Sequence, residues 1–358
     1  MLQPTFISRK GLMEYEIELK LLTNEQSGEI IETKLLPLLD ASVKQETQIL
    51  TNHYFDTPDR TLKHHNIGLR IRGNDLNFEQ TLKTAGKSIG GLHQRPEYNV
   101  QLDESQKHSF NIPKLRLFPL SAWPETIDVG ELQAKIETLF TTHFKRQIYL
   151  LTFSDGDIVE LVWDLGEITS ENKSVPICEI ELELKKGSTA AIFNLAKCIV
   201  SLLPTTIGID SKAARGYKLC DGLPVKKCEQ YQQNLPKNMQ TETETETEKF
   251  VNLLTSLLQD FQILSAEIRR QHSEELANNI SQILITLVNS LEGFSHHSPC
   301  SPVDLIHVKL KTLVDDWMLV TQQNDKSSVH NLLVRAQTTQ LQLDIVQCLV
   351  EQPWSSCP

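Results

Sequence analysis

Residues 13–22 read MEYEIELKLL, an alternation of charged and apolar side chains. Successive side chains of a β-strand point to opposite faces, so the alternation predicts a strand with one charged and one apolar face. The charged positions are Glu14, Glu16, Glu18 and Lys20. For a single strand, such a row is usually a solvated outer face. In a protein interior it would need bound cations to offset its self-repulsion.

The same pattern returns late in the chain, where residues 179–185 read EIELELK. A strand here places Glu179, Glu181 and Glu183 on one face, again followed by a lysine. Two acidic rows with the same arrangement are difficult to explain as two unrelated outer faces. They indicate a shared interior that binds a hard divalent metal, because such metals prefer carboxylate oxygens as ligands.

Composition narrows the class of protein. The 358 residues suffice for two domains, and the net charge of −11 does not favour nucleic acid or an anionic membrane as a partner. The seven cysteines include no Cys-x-x-Cys pair, which argues against a disulfide framework and a zinc site. Residues 1–11 lack a signal-peptide core, and no apolar run approaches transmembrane length. We therefore expect a cytoplasmic protein that holds any anionic substrate in a local cationic pocket.

Six further segments have strand-like patterns: 47–55, 69–72, 77–83, 95–100, 144–149 and 159–164. Helical patterns lie at 24–40, 129–140 and 187–203, and residues 155–157 (DGD) predict a hairpin turn. Because charges recur on one face of successive strands, these segments indicate a charged interior. In 144–149 the alternation allows either Lys145 or Arg146 to face that interior. Glu79, Glu97 and Glu160 are either metal ligands or, as we favour, ion-pair partners of neighbouring arginines.

Five motifs, in this order, resemble the CYTH superfamily of triphosphate tunnel metalloenzymes. They are Glu16-x-Glu18-x-Lys20, LRIR at 69–72, TLK at 81–83, GGLHQRPEY at 90–98 and SKAARGY at 211–217. The resemblance covers residues 12–222. It is strongest to the bacterial inorganic triphosphatases that carry a C-terminal helical CHAD domain.

The resemblance implies an α+β fold in which eight antiparallel β-strands close into a tunnel with flanking helices. It assigns catalysis to Glu16, Glu18 and Lys20. It assigns metal binding to Glu16, Glu18, Asp164, Glu179, Glu181 and Glu183. It assigns substrate binding to Arg70, Arg72, Lys83, Arg95, Arg146, Lys212 and Arg215, and so favours Arg146 over Lys145.

The implied activity is a metal-dependent hydrolysis of tripolyphosphate to pyrophosphate and phosphate, with Mg²⁺ or Mn²⁺ as cofactor. Interleaved carboxylates and cations suit a metal–polyphosphate complex better than free metal or bare phosphate. The alternatives are another tunnel activity on a related triphosphate (thiamine triphosphatase, nucleoside triphosphatase or adenylate cyclase) and a non-catalytic polyphosphate-binding protein.

The sequence changes character after residue 222. Residues 223–248 end in TETETETE and predict an acidic linker, whereas residues 249–352 carry helical apolar patterns that predict a small all-α bundle. The bundle occupies the place of a CHAD domain, but residues 249–358 contain seven Lys and Arg against eleven Asp and Glu. We therefore expect a shortened, divergent CHAD-like region that packs against the tunnel and does not bind polyphosphate.

Overall fold

We analysed a computed structural model of the chain, which describes residues 13–73, 78–102, 112–222, 245–297, 300–323 and 325–355. The predicted N-terminal tail (1–11) and most of the predicted linker (223–244) lie outside these residues. The domain boundaries proposed from the sequence therefore stay predictions.

A single antiparallel sheet of ten strands dominates the first 222 residues. The strands are β1 (Met13–Leu22), β2 (Ala41–Asp56), β3 (Gly68–Gly73), β4 (Phe78–Lys83), β5 (Lys87–Ile89), β6 (Leu92–Gln101), β7 (Glu137–Phe153), β8 (Ile158–Ser170), β9 (Lys173–Lys186) and β10 (Thr206–Ile207). Their order is β10-β1-β9-β8-β7-β2-β3-β4-β6-β5, and β1 pairs with β6 as well as with β9. This second pairing closes eight strands into a barrel and confirms the predicted fold class.

The register of β1 explains why the acidic rows meet. Glu18 lies opposite Glu183 of β9 and opposite His93 of β6, while Lys20 lies opposite Glu181. Because strand side chains alternate, every second residue of β1 points into the barrel with its cross-strand partners. The predicted convergence of the two acidic rows is therefore confirmed.

The observed boundaries differ from the predicted ones most clearly around β2 and β7. Strand β2 begins at Ala41, six residues before the predicted start, and its first half is exposed on both faces, so it carries little alternation. Helix α3 (Val129–Lys135), capped by Asp128, ends well before residue 140. The residues from Glu137 onward join β7 and pair with β2, so the prediction of helix over 129–140 was wrong for its last residues.

Helices cover the outer face of the barrel and one of its ends. Short helical turns span residues 27–38, beginning with α1 (Ser27–Ile30), and α2 (Thr61–His64) follows β2. Helix α4 (Thr189–Leu202) starts at its N-cap Ser188 and buries Ile192, Phe193 and Ile199. Helix α5 (Lys212–Asp221) lies against β7, β8 and β9, where Tyr217 donates a hydrogen bond to the fully buried Asp56 (2.7 Å).

The C-terminal region is entirely helical in its described residues. Its helices are α6 (Glu246–Arg270), α7 (Glu274–His297), α8 (Ser301–Gln322), α9 (Lys326–Val334) and α10 (Ala336–Glu351). Helix α6 starts within the TETETETE repeat, because Thr245 and Glu248 form a reciprocal capping box. Helices α9 and α10 are separated at Arg335, whose backbone is extended.

The barrel and the C-terminal helices share one hydrophobic core. A continuous cluster of buried side chains runs from Leu19 and Leu182 of the barrel through α4 to Leu258 and Val346 of the C-terminal helices. Polar contacts cross the same boundary as well; for example, Thr339 Oγ1 donates to the carbonyl of Thr205 (2.7 Å), and Lys197 pairs with Asp344 (2.6 Å). Among the described residues, no helix combines the length and apolar character needed to cross a bilayer.

Phe261→Ala should lower the free energy of unfolding by about 3–5 kcal/mol, because Phe261 is fully enclosed in this shared core. Leu305→Ala is the control, since Leu305 is exposed on α8 and should change stability by no more than about 0.5 kcal/mol. Urea denaturation of the full chain measures both values. Equal stabilities for the two variants would contradict the shared core.

Candidate active site

The barrel interior contains a charged cavity of about 250 Å³. The sequence-predicted residues that line it are Glu16, Glu18, Lys20, Arg70, Arg72, Lys83, Arg95, Arg146, Glu181, Glu183 and Lys212. Asp164 and Glu179 lie beside it and bind the lining residue Lys212, and Arg215 in turn binds Glu179. The structure therefore brings all the predicted site residues to one region, although it does not test their individual roles.

The inner end of the cavity is a dense ion-pair cluster. Lys212 Nζ lies 2.6 Å from Asp164 Oδ2 and 2.5 Å from Glu179 Oε1, and it also contacts Glu181 at 2.9 Å. Lys20 binds Glu179 (3.1 Å) and also contacts Glu181. These charges are almost completely withdrawn from water, so each one depends on its partners.

Two arginines complete the inner cluster. Arg146 reaches Asp164 (2.6 Å) and Glu181 (2.7 Å), and Arg215 reaches Glu179 (2.9 Å). Burial alone would lower the pKa of Lys20, but the charges of Glu179 and Glu181 raise it well above its usual range. Burial likewise opposes ionisation of Glu181, yet Lys20, Lys212 and Arg146 hold its pKa well below its usual range. Lys20 and Glu181 are thus held in their charged forms by their partners in the cluster.

This cluster also contains a possible metal-ligand geometry. Asp164, Glu179 and Glu181 each offer an oxygen within 4.8 Å of the others. The ammonium groups of Lys20 and Lys212 contact these same carboxylates, so a metal would have to displace them.

A second group of charges surrounds Glu16. Its carboxylate binds Lys83 Nζ (2.5 Å) and Arg95 Nε (3.3 Å), and Lys83 also pairs with Glu97 (3.0 Å). Although burial raises the pKa of Glu16, the charge of Lys83 outweighs this effect and lowers it overall. Glu16 is therefore ionised and largely compensated.

Glu18 and Glu183 are less well compensated. Within the described residues, Glu18 forms one ion pair, to Lys20 at 3.3 Å, and that lysine is shared with the inner carboxylates. Glu183 pairs with Lys185 (2.7 Å), but burial and the charges of Glu16 and Glu160 raise its pKa to about 7. This wall of the cavity therefore has a local excess of carboxylates.

The strand β3 has the opposite imbalance. No carboxylate of the described residues forms an ion pair with Arg70 or Arg72, and Arg70 Nε is buried without a hydrogen-bond partner there. Arg72 donates from Nε to the neutral amide oxygen of Asn52 (3.0 Å). Burial and the nearby charges of Arg70 and Arg146 lower the pKa of Arg72 to about 10. These guanidinium groups would be stabilised by an anion in the cavity.

A sequence model of the CYTH domain family matches residues 14–217, more than half of the chain. The chain belongs to the CYTH family. The matched region runs from the second residue of β1 to Tyr217 within α5 and stops before the C-terminal helices, whose likeness to CHAD therefore stays a prediction.

A relative of this CYTH chain is an inorganic triphosphatase from Haemophilus influenzae, 34% identical over 210 residues. The aligned part is 59% of this chain and 56% of the relative, so the chain spans about half the length of the relative it matches. Two solved structures also align. One is a proposed adenylyl cyclase from Hippeastrum that is described as having a dominant triphosphatase activity and is 23% identical. The alignment covers 55% of this chain and 92% of that protein, with a TM-score of 0.40. A Pyrococcus horikoshii protein is 17% identical; the alignment covers 56% of this chain and 97% of that protein, with a TM-score of 0.35. These two similarities are too weak to support an argument about function.

The structure answers the questions that the CYTH motifs left open. Arg146 lines the cavity, as the resemblance implied, and Lys145 does not line it. The predicted ion pairs exist for Glu97 and Glu160, but with Lys83 (3.0 Å) and Lys185 (3.5 Å) in place of arginines. The carboxylate of Glu79 accepts a hydrogen bond from the Gln101 amide (2.7 Å).

Other residues of the site were not identified from the sequence. Tyr54 lines the cavity, Asn52 binds Arg72, and His93 faces Glu18 across the β1–β6 pair. His93 lies inside the GGLHQRPEY motif, at the same parity as Arg95, and this parity could have identified it. Asn52 and Tyr54 are uncharged, so the search for charged faces passed over them.

Lys212→Met should destabilise the chain by about 3–5 kcal/mol, because it leaves three buried carboxylates short of a cation. Lys218→Met on the same helix is the control. Lys218 forms a half-exposed pair with Asp210 (2.5 Å), which should contribute no more than about 1 kcal/mol. Chemical denaturation measures the free energy of unfolding of both variants. Equal, small decreases in that free energy would show that the inner cluster does not depend on Lys212.

Proposed function

We propose that this protein is a metal-dependent inorganic triphosphatase that hydrolyses tripolyphosphate to pyrophosphate and phosphate within the barrel. The observation that carries the proposal is the charge division inside one cavity. Under-compensated carboxylates of β1 and β9 lie on one wall, and guanidinium groups without carboxylate partners lie on β3. A metal–triphosphate complex would neutralise both.

The cationic side chains are proposed to hold the phosphate chain. Arg70 and Arg72 bind first in this scheme, since they have no carboxylate to exchange. Arginine suits the role because its planar group meets phosphate oxygens in a bidentate manner and stays charged when desolvated. The remaining proposed contacts are those of Lys83, Arg95, Arg146, Lys212 and Arg215, which would each share charge between a carboxylate and the substrate.

The donor set fits Mg²⁺ or Mn²⁺. Both are hard cations that prefer carboxylate oxygens, water and phosphate oxygens as ligands. We propose Glu16, Glu18 and Glu183 as the principal ligands, because Glu18 and Glu183 are the less compensated carboxylates and lie directly opposite each other. Asp164, Glu179 and Glu181 are the alternative ligands, and their present partners support a role in fixing Lys20, Lys212 and Arg146.

Catalysis is proposed to rest on positioning and charge neutralisation, as phosphoryl transfer generally does. When bound, the metal would neutralise phosphate oxygens and lower the pKa of a bound water. Glu16 and Glu18 would orient the attacking water, and Lys20, held by Glu179 and Glu181, would neutralise charge developing at the phosphorus. The arginines would stabilise the departing pyrophosphate.

A related triphosphate is the second candidate substrate, because the cations described above contact only the part that such substrates share. The inorganic substrate is favoured by the name of the Haemophilus influenzae relative. It is also favoured by the cavity of about 250 Å³, which is lined mainly by charged groups.

Phosphate release from tripolyphosphate, thiamine triphosphate and ATP tests the proposal. We expect tripolyphosphate to give the highest kcat/KM with Mg²⁺ or Mn²⁺, and we expect EDTA to abolish turnover. Activity that persists in EDTA would reject the metal requirement, and a preference for ATP would favour the second candidate.

Glu18→Gln should reduce kcat/KM for tripolyphosphate by at least about 100-fold, the scale of losing one charged group at a reacting centre. Glu14→Gln is the control, because Glu14 lies on the same strand and at the same cavity but is exposed. The kcat/KM of Glu14→Gln should stay within about threefold of the wild-type value, because surface charges contribute little. Calorimetric titration with Mn²⁺ gives a second readout, in which only Glu18→Gln should weaken binding.

A further inference from the structure

The C-terminal helices make direct contacts with the part of the barrel that carries Glu18 and Lys20. Helix α10 reaches the segment before β10, where Thr339 Oγ1 donates to the buried carbonyl of Thr205 at 2.7 Å. Thr339 is completely buried. Its hydroxyl therefore provides a fixed polar contact between the two parts of the chain.

From Thr205 the contacts continue to Lys20. The next two residues form β10, in which Ile207 pairs with Leu21 of β1. The following amide, of Gly208, donates to the carbonyl of Lys20 (2.9 Å). A Cβ added at Gly208 would lie 2.9 Å from the Lys20 Cγ and Cδ atoms, so the backbone packs directly on that side chain.

A second contact runs through the turn between β5 and β6. Gln262 of α6 donates to the carbonyl of Gly90 (3.1 Å). A Cβ at Gly90 would meet Val346 at 2.5 Å and Leu258 at 2.6 Å, and Gly90 has a φ of +51°. Alanine is disfavoured there both by the backbone conformation and by the helices.

The turn itself touches β10 and leads into the site. A Cβ at Gly91 would lie 2.2 Å from Ile207, so the turn and β10 support each other. Two residues later, His93 of β6 lies opposite Glu18 of β1. Both contacts from the C-terminal helices thus converge on the end of β1 that holds Glu18 and Lys20.

We propose that the C-terminal helices position the catalytic end of β1, with Thr339 and Gln262 as positioning residues. This inference rests on the proposed function, since it gives the helices a role in the same reaction. Arg70 and Arg72, which we propose to bind the phosphate chain first, lie on β3, whereas Arg95 shares β6 with His93. Loosening the helical contacts should therefore affect turnover more than substrate binding.

The chain offers a matched pair of threonines for the test. Thr338 is as buried as Thr339, and its hydroxyl also donates to a backbone carbonyl at 2.7 Å, but that carbonyl belongs to Leu332 in the helical region. Thr339→Val and Thr338→Val each remove a buried hydroxyl without a change in side-chain shape, and the Thr338 hydroxyl also accepts a hydrogen bond from Arg335 Nε (3.3 Å), so its loss is confined to the helical region. A purely structural role predicts the same consequences for both variants.

We expect Thr339→Val to lower kcat for tripolyphosphate at least about fivefold with KM within about twofold, because displacements of the order of 1 Å can cost about 100-fold in rate. Thr338→Val should retain the wild-type kcat. Thr339→Ser, which keeps the hydroxyl, should restore it. Equal kcat values for Thr339→Val and Thr338→Val, or a loss confined to KM, would overturn the proposal.

Hydrogen–deuterium exchange gives a readout that does not depend on activity. The Gly208 amide should exchange at least about fivefold faster in Thr339→Val than in Thr338→Val, since local opening sets the exchange rate. Unchanged exchange would overturn the positioning role. A wild type that cleaves no triphosphate, with the exchange difference present, would reject the proposed function and leave the positioning intact.

Gln262→Ala provides the second variant if Thr339→Val does not fold. Its control is Gln342→Ala, because Gln342 is equally buried and its amide donates within its own helix, to Thr338 (3.4 Å). The same differences in kcat and in Gly208 exchange are expected. Their absence in this pair would overturn the proposal.

Discussion

The loss of water around charges enclosed in a barrel is the constraint on which this structure depends. An ion buried without a partner costs several kcal/mol, so every enclosed charge requires a counter-charge or a ligand. At the inner end the chain supplies the counter-charges itself: the pKa of Lys20 is raised and that of Asp164 is lowered by their partners, so both are ionised with almost no exposure. Nearer the middle of the cavity the chain does not supply enough counter-charges, and Glu18 and Arg72 lack full compensation.

This division links the strand register to chemistry. Antiparallel closure of β1 onto β9 places the acidic rows side by side, and the neighbouring strands bring in the cations. The inner ion pairs hold Lys20 and Arg146 in fixed positions, which is the preorganisation that electrostatic catalysis requires. The C-terminal helices extend the same support from outside, because they share the hydrophobic core that lies behind β1.

Alternation predicted the acidic rows and the charged interior, since it records which side of a strand each residue occupies, whereas the closed eight-stranded barrel and the inward position of Arg146 were implied by the resemblance to the CYTH superfamily. The sequence could not predict the ion-pair partners, because these depend on register between distant strands: Lys20 and Glu181 are 161 residues apart. It also placed the start of β2 too late and extended α3 too far. The first residues of β2 are in a strand because they pair with β7, although their own pattern is weak. The residues after α3 are in a strand because they pair with β2, although their own pattern suggests a helix. Tyr54 and Asn52 are uncharged, so a pattern of charged strand faces does not identify them.

A crystal structure of the chain with tripolyphosphate and Mn²⁺, recorded at the manganese absorption edge, would locate the metal and the phosphate chain. We expect an anomalous peak within coordination distance of the Glu18 and Glu183 carboxylates, with phosphate oxygens against Arg70 and Arg72. Manganese and phosphate bound outside the barrel, with the interior ion pairs unchanged, would contradict this expectation.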